Sequence, residues 1–412
     1  MAAGEPRVVV TGAGLVCSVA DSPAALHEAL STGRSGVRPT DAFGGHGLRC
    51  EQAAAMESFA PTDYLGRRNL RPLDRTARLV AAAAGLALPE DGWPEDLPEV
   101  GLVLGTTFGS IHTISEFDRR GLVDGPNYLK PMDFANSVIN AAAGQGAIWH
   151  RLRGVNATVS GGATAGIEAL AYAADLIRRG RAQVVLAGGA EELCFESFFG
   201  FDRAGWLAPG RETRPVPFHP RRNGFVPGEG AALLVLEDAA CARARGATAI
   251  AEVLGHGARF DPSRGGRRSL AVRTLAGAVR EALHDARLAP ARIQAVSAGA
   301  SGGVAADAVE AAALAEVFGA AAATLPVTAV KGCLGETLGA AGAFQSVALI
   351  ESMRCGRLPG IAGLDEHEEG FPLKAAGPAP RELRLTRGLV CASSHDGGAA
   401  ALVLGSVGPE KE

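Results

Sequence analysis

The sequence is short of aromatic residues, which make up 5% of its 412 positions against 47% hydrophobic residues overall. Its interior must therefore be filled mainly by Ala, Val and Leu, and small side chains let helices and strands approach closely. Long blocks of like charge are absent: 40 basic and 44 acidic residues are spread along the chain for a formal net charge of -4. That leaves no electrostatic footprint for nucleic acid. No apolar stretch nears the ~20 residues of a membrane span, Leu102-Leu104 and Ala81-Leu88 being typical. The opening MAAGEPRVVV lacks the charged-then-apolar build of a signal peptide, so a cytoplasmic protein that meets no membrane is expected. The cysteines at 17, 50, 194, 241, 333, 355 and 391 form no C-x-x-C and have no His-rich companion, which excludes an obvious zinc site or redox pair. Most are expected to be small buried residues, and no metal is expected.

What is present is an alternation of short apolar runs and helical patterns. Arg7-Thr11 (RVVVT) predicts a strand, Gly12-Ala13-Gly14 a tight turn, and Ser22-Pro23 the start of a helix. Further strands are predicted at Gly101-Gly105, Gln183-Gly189 and Ala231-Glu237, with a helix over Ala165-Arg179. The rhythm restarts after Gly246, with strands at Ala249-Gly255, Ala295-Ala298, Leu389-Cys391 and Ala399-Gly405 and helices near Leu270-Ala286 and Ala305-Phe318. Interleaved strands and helices predict an α/β protein with a largely parallel sheet covered on both faces. Two related halves, 1–246 and 247–412, are expected, with mostly loop between Gly356 and Arg387. Gly12-Ala13-Gly14 lacks the third glycine of a dinucleotide fingerprint, so no nicotinamide cofactor is expected.

A longer motif is more specific. Phe218-His219-Pro220-Arg221-Arg222-Asn223-Gly224-Phe225-Val226-Pro227-Gly228-Glu229-Gly230 leads straight into the strand LLVLE. Its glycines allow a tight backbone path, and Arg221 or Arg222 is expected to pair with Glu229 across the turn. The run resembles the β-ketoacyl synthase signature, and three further stretches fit that family in the same order. They are Gly154-Ser160 followed by Gly166 and QVVLAGGAEE, Val327-Lys331 with Gly335 and Gly339-Gly342, and Gly397-Gly398 before AAALVLG. The resemblance implies a thiolase-like fold, with two similar βαβαβ halves in a layered α-β-α-β-α arrangement.

The resemblance also implies where catalytic groups would stand. A condensing ketosynthase needs a thiol at the start of a buried helix, where the dipole lowers its pKa and the thiolate takes the acyl chain; SGGATAG places Ala163 there. Ser160 and Thr164 are nearby hydroxyls, read as a strand end and a helix cap. The family's two histidines, which serve decarboxylation and enolate stabilisation, fall by register on Gly299 and Glu336. Lys331 persists, and pairing with Glu336 would explain it as scaffold. His395 takes the position of a gate phenylalanine beside Asp396, where a structural hydrogen-bonded pair is expected.

Loss of three groups that act as a unit argues that the condensing step is gone. The closest group is therefore the chain length factor, the β subunit of a type II polyketide ketosynthase heterodimer. Many of its members carry glutamine where this chain has Ala163. The implied partners are a cysteine-bearing ketosynthase subunit and an acyl carrier protein with its acyl chain. Candidates for tunnel or interface are Ile111, Ile114 and Phe117, spaced to share one helical face, and Met132, Asp133, Phe134 and Val138. Two other readings stand beside this one: an active β-ketoacyl synthase or acyltransferase with an atypical nucleophile such as Ser160, and a structural module that binds carrier protein.

Overall fold

The computed structural model describes residues 6–407 except 90–92, 94–97, 213–214, 264–266 and 375. The first five residues, part of the run scanned for a signal peptide, lie outside the described residues. Ten strands form one sheet: β1 Val8–Cys17, β2 Val100–Thr106, β3 Asn156–Ser160, β4 Val184–Glu191, β5 Gly230–Asp238, β6 Ala251–Phe260, β7 Ala295–Ser297, β8 Val327–Thr328, β9 Arg387–Ser393 and β10 Gly398–Gly405. Their spatial order is β8-β7-β9-β10-β6-β1-β5-β4-β2-β3. Read outward from the middle, the second half repeats the order of the first strand for strand. The halves meet where Val8-Val10 pair with Ala251-Val253.

The principal helices are α1 Arg75–Ala87, α2 Ile111–Val123, α3 Ala165–Arg178, α4 Phe195–Ala204, α5 Arg268–Asp285, α6 Val304–Phe318 and α7 Ala341–Cys355. One core joins α3 and α7 to the inner faces of both half-sheets, through residues such as Ile167, Leu170, Phe344 and Val347 against Val185, Leu234, Val390 and Leu402. α1 covers the outer face of the first half, and α5 and α6 cover that of the second. This is the layered α-β-α-β-α arrangement expected. α7 is buried along nearly its whole length, which suits a helix lying between two sheets.

Three expectations need correction. The sheet is mixed: β8-β7, β7-β9, β4-β2 and β2-β3 are parallel, and the other neighbours are antiparallel. The short link between β9 and β10 leaves no length for a crossover, so that pair must be a hairpin. Gly12-Ala13-Gly14 is no turn either, because β1 runs through it to Cys17, with a register shift between Val10 and Gly12. Its glycines serve close packing: a Cβ on Gly14 would lie 2.3 Å from both Ala83 O and Ala87 N of α1. Finally, Glu229 does not pair with Arg221 or Arg222. Arg75, at the start of α1, donates to it through Nε at 2.7 Å and Nη2 at 2.6 Å, while Met56 N and Leu193 N also donate to its carboxylate. Arg222 turns to Glu368 at 2.6 Å, and Arg221 lies 3.9 Å from Glu366. A fixed bidentate site made by four distant segments outcompetes a local pairing.

Two further expectations hold. Before Arg387 opens β9, Gly356-Arg387 contributes only the paired Arg357–Leu358 and Arg381–Glu382 to regular structure among its described residues. Five of the seven cysteines are buried, Cys241 is half-buried and Cys355 is exposed.

Candidate functional site

Ala163 lies between the end of β3 and the start of α3, on the short 3-10 turn Gly162–Thr164. The strand delivers the chain to the middle of the molecule, and α3 carries it away, so the residue sits at a helix N-terminus where backbone N–H groups point forward. The structure gathers Ala163, Gly299, Glu336 and His395 around one cavity of about 380 Å3, together with Ser160, Glu310, Ser394 and Asp396. Ala163, Gly299, Glu336 and His395 come from four distant segments of the chain.

Each position has a definite neighbourhood. The Ala163 N–H donates to Ser394 Oγ at 3.1 Å. Ser394 reaches it because Gly162, at φ +58°, has no side chain; a Cβ there would be 2.1 Å from the Ser394 hydroxyl oxygen. Gly299 is closed off as well, since an added Cβ would meet Ala392 at 2.9 Å and Cys391 O at 3.0 Å. A histidine does not fit there without movement of β9. Lys331 is fully buried, and its Nζ donates to Glu336 Oε2 at 2.7 Å, as expected; Glu336 Oε1 accepts from Leu338 N at 3.0 Å.

Ser160 ends β3 and donates to Thr107 O at 3.3 Å. Thr164 makes no cap bond and instead donates to Gly161 O at 2.7 Å and Glu168 Oε1 at 2.8 Å. The expected His395–Asp396 pair does not form. His395 stacks on Trp206 at 4.0 Å between centroids and 13° between planes, while Asp396 Oδ1 accepts from Gly398 N at 3.0 Å. Stacking offers a half-desolvated imidazole more contact than a solvated carboxylate does. Although His395 keeps an exposed edge, cover over its face pushes its pKa down, so the ring is neutral at pH 7.

Glu310, one turn after Asp307 on α6, is a carboxyl of the cavity wall. It accepts from Gly299 N at 2.8 Å and from the Cys391 thiol at 3.2 Å. Burial raises its pKa to about 7; burial likewise raises Glu192, beneath the start of α2, to about 8. A raised carboxyl pKa means that the folded state holds its proton more tightly than the unfolded chain. Each group therefore weakens folding as pH rises from the ordinary value of 4.5 through its folded value. His150 and His395 act in the opposite sense, weakening folding as pH falls below about 6.5, because their pKa values are lowered. The difference between the native chain and Glu310→Gln isolates the carboxyl: in thermal melts from pH 5 to 8, the variant should gain relative stability as pH rises. A flat difference would contradict the assignment.

The seven tunnel or interface candidates do not line this cavity. Ile111, Ile114 and Phe117 lie half-buried on α2, and Met132, Phe134 and Val138 are exposed in the segment that follows. The Phe117 and Phe134 rings meet at 5.9 Å, and Asp133 pairs with Arg120 at 3.1 Å. Sequence reasoning missed Phe108, Phe201 and Trp206 and quoted Phe225 only as part of its motif, although the rings of all four line the cavity. No local pattern marks them as a group, because they come from three segments joined only by folding. Among the described residues no group of His, Cys, Asp or Glu side chains could hold a metal, and no helix is long and apolar enough to cross a membrane.

Comparison with known proteins agrees with this architecture. Residues 5–242 match the family model for the β-ketoacyl synthase N-terminal domain, and 250–365 match that for its C-terminal domain. The chain is 29% identical to the 3-oxoacyl-[acyl-carrier-protein] synthase 2 of Coxiella burnetii, over 97% of this chain and 99% of the relative. It is 33% identical to the tetracenomycin polyketide synthase ketoacyl synthase beta subunit of Streptomyces glaucescens, over 96% and 98%. A solved structure of the ishigamide ketosynthase/chain length factor superposes with a TM-score of 0.89 at 30% identity, covering 98% of this chain and 100% of that one. The layered fold is thus thiolase-like. The chain belongs to the β-ketoacyl synthase family and is ketosynthase/chain-length-factor-like.

Proposed function

We propose that this chain is the non-condensing chain length factor subunit of a ketosynthase heterodimer in type II polyketide, or related polyene or fatty acyl, biosynthesis. On this reading it consists of two ketosynthase-like halves, 1–246 and 247–412, shapes the acyl tunnel and sets chain length. The observation that carries the reading is the state of the cavity. The position for a nucleophile is a methyl group, its N–H is capped by Ser394, Gly299 has no room for an imidazole, and Glu336 is tied to Lys331. None of these can hold an acyl group or stabilise an enolate.

Two features support a partner subunit. β3 is the last strand of the sheet and pairs on one side only, with β2. Beside it in sequence, Met132, Phe134, Val138 and Ile139 are 49%, 64%, 50% and 40% exposed, more apolar surface than a lone chain normally leaves in one segment. A cysteine-bearing ketosynthase continuing the sheet across β3 would cover both. An acyl carrier protein is the second partner, as the names of the family relatives indicate for those proteins. The reading with Ser160 as nucleophile gains no support, since its hydroxyl donates to a carbonyl oxygen rather than to a base.

The test uses malonyl carrier protein with this chain alone and then mixed with a cysteine-bearing ketosynthase from the same source. Expected are silence alone, products from the pair, and a shift of at least one extension unit when Ile111, Ile114 or Phe134 is resized, because a close-packed wall does not yield. Product length unchanged by all three substitutions would sink the length-setting role and leave a carrier-binding module.

A further inference from the structure

We propose that the cavity beside Ala163 is a binding site for a small organic ammonium ion, an amine or quaternary ammonium carrying an apolar group. The site is independent of the length-setting reading, since the cavity is lined by residues of this chain. Its volume of about 380 Å3 falls in the roughly 300–1,000 Å3 range of small-molecule sites.

The cavity offers an anion few unengaged backbone donors and no cationic side chain. An oxyanion, carboxylate or enolate needs backbone N–H donors or a cation aimed at it. The donors around Ala163 are engaged by the protein's own oxygens: Ala163 N by Ser394, Gly299 N by Glu310, Leu338 N by Glu336, and Thr107 N and Phe108 N by Glu191 at 2.7 and 3.0 Å. No lysine or arginine is among the lining residues. Lys331 is spent on Glu336 behind the wall.

What remains favours a cation. Three carboxyl groups line the space, those of Glu310, Glu336 and Asp396. Lys331 offsets Glu336, whereas Glu310, ionised above its raised pKa of about 7, makes no ion pair among the described residues. The same space is lined by a continuous run of rings: Phe108 meets Phe201 at 5.9 Å, Phe201 meets Trp206 at 5.7 Å and Phe225 at 5.4 Å, and Trp206 stacks on His395. Aromatic faces attract cations, tryptophan most strongly; His395 covers one face of Trp206, and its lowered pKa limits any opposing charge. An ammonium group would therefore be drawn between rings and carboxylates, its apolar part lying on the methyl groups of Ala163, Ala300 and Ala306.

The experiment is calorimetric titration of the full chain with choline, its neutral isostere 3,3-dimethylbutan-1-ol, and the anion 3,3-dimethylbutanoate. Expected is saturable choline binding about tenfold or more tighter than the neutral isostere, the anion not binding, and about fivefold to tenfold weakening in Trp206→Leu and in Glu310→Gln. Thermal melts establish that each variant is folded; if Trp206→Leu is not, Glu310→Gln and the isostere comparison decide. Equal binding of the neutral isostere, preference for the anion, no saturable choline binding, or choline affinity unchanged in folded Glu310→Gln would each overturn the site.

Discussion

A chain carrying Ala163→Cys should still fail to condense, at a rate at least ~10³-fold below that of a cysteine-bearing ketosynthase under the same conditions. The new thiol would stand at the N-terminus of α3, where the dipole favours thiolate. On the proposed reading, the remaining machinery would still be missing. Ser394 Oγ occupies the Ala163 N–H that would otherwise stabilise a tetrahedral oxyanion, and Ala392 fills the space that a histidine at Gly299 would need. Glu336 presents a negative charge where an enolate would form, and Lys331 is committed to it. Groups that act as a unit are non-additive, so one restored member recovers little. The check is product formation from malonyl carrier protein, beside mass-spectrometric detection of an acyl group on the introduced thiol. A rate within tenfold of the ketosynthase would show that only the thiol was missing.

The second large effect concerns stability. Lys331→Met should cost about 3–5 kcal/mol of folding free energy, because it strands the buried Glu336 carboxylate without its partner. The double change Lys331→Met with Glu336→Leu should regain most of it, since an apolar pair of similar volume needs no desolvation of ions. Chemical denaturation of the parent and both variants at pH 5 and pH 8 measures this. A single variant as stable as the parent would mean that water reaches Glu336 and that the pair is not enclosed.

The order of strands and helices could be read from the sequence because it is local. β-branched runs such as Val8-Val10 and Val184-Leu186 became strands, and the helical pattern after Ala165 became α3 nearly to the residue. The misread positions are those where a distant segment decides. Gly12 and Gly14 look like a turn until α1 is seen lying on them. Arg222 and Glu229 look like a pair until Arg75 arrives from a segment 154 residues away. A strand motif also cannot state its direction, which made a mixed sheet look parallel.

Sequence by itself determined the family signature, the two-part rhythm and the identities at Ala163, Gly299, Glu336 and Lys331, because each is carried by residues close together in the chain. Tertiary structure alone decided that these positions share a cavity, that Ser394 caps the Ala163 amide, that His395 stacks on Trp206 rather than pairing with Asp396, and that five rings form one wall. The reason is physical: hydrogen bonds and ring contacts depend on distances of a few ångströms between groups hundreds of residues apart, and only the packed sheet and its helices set those distances.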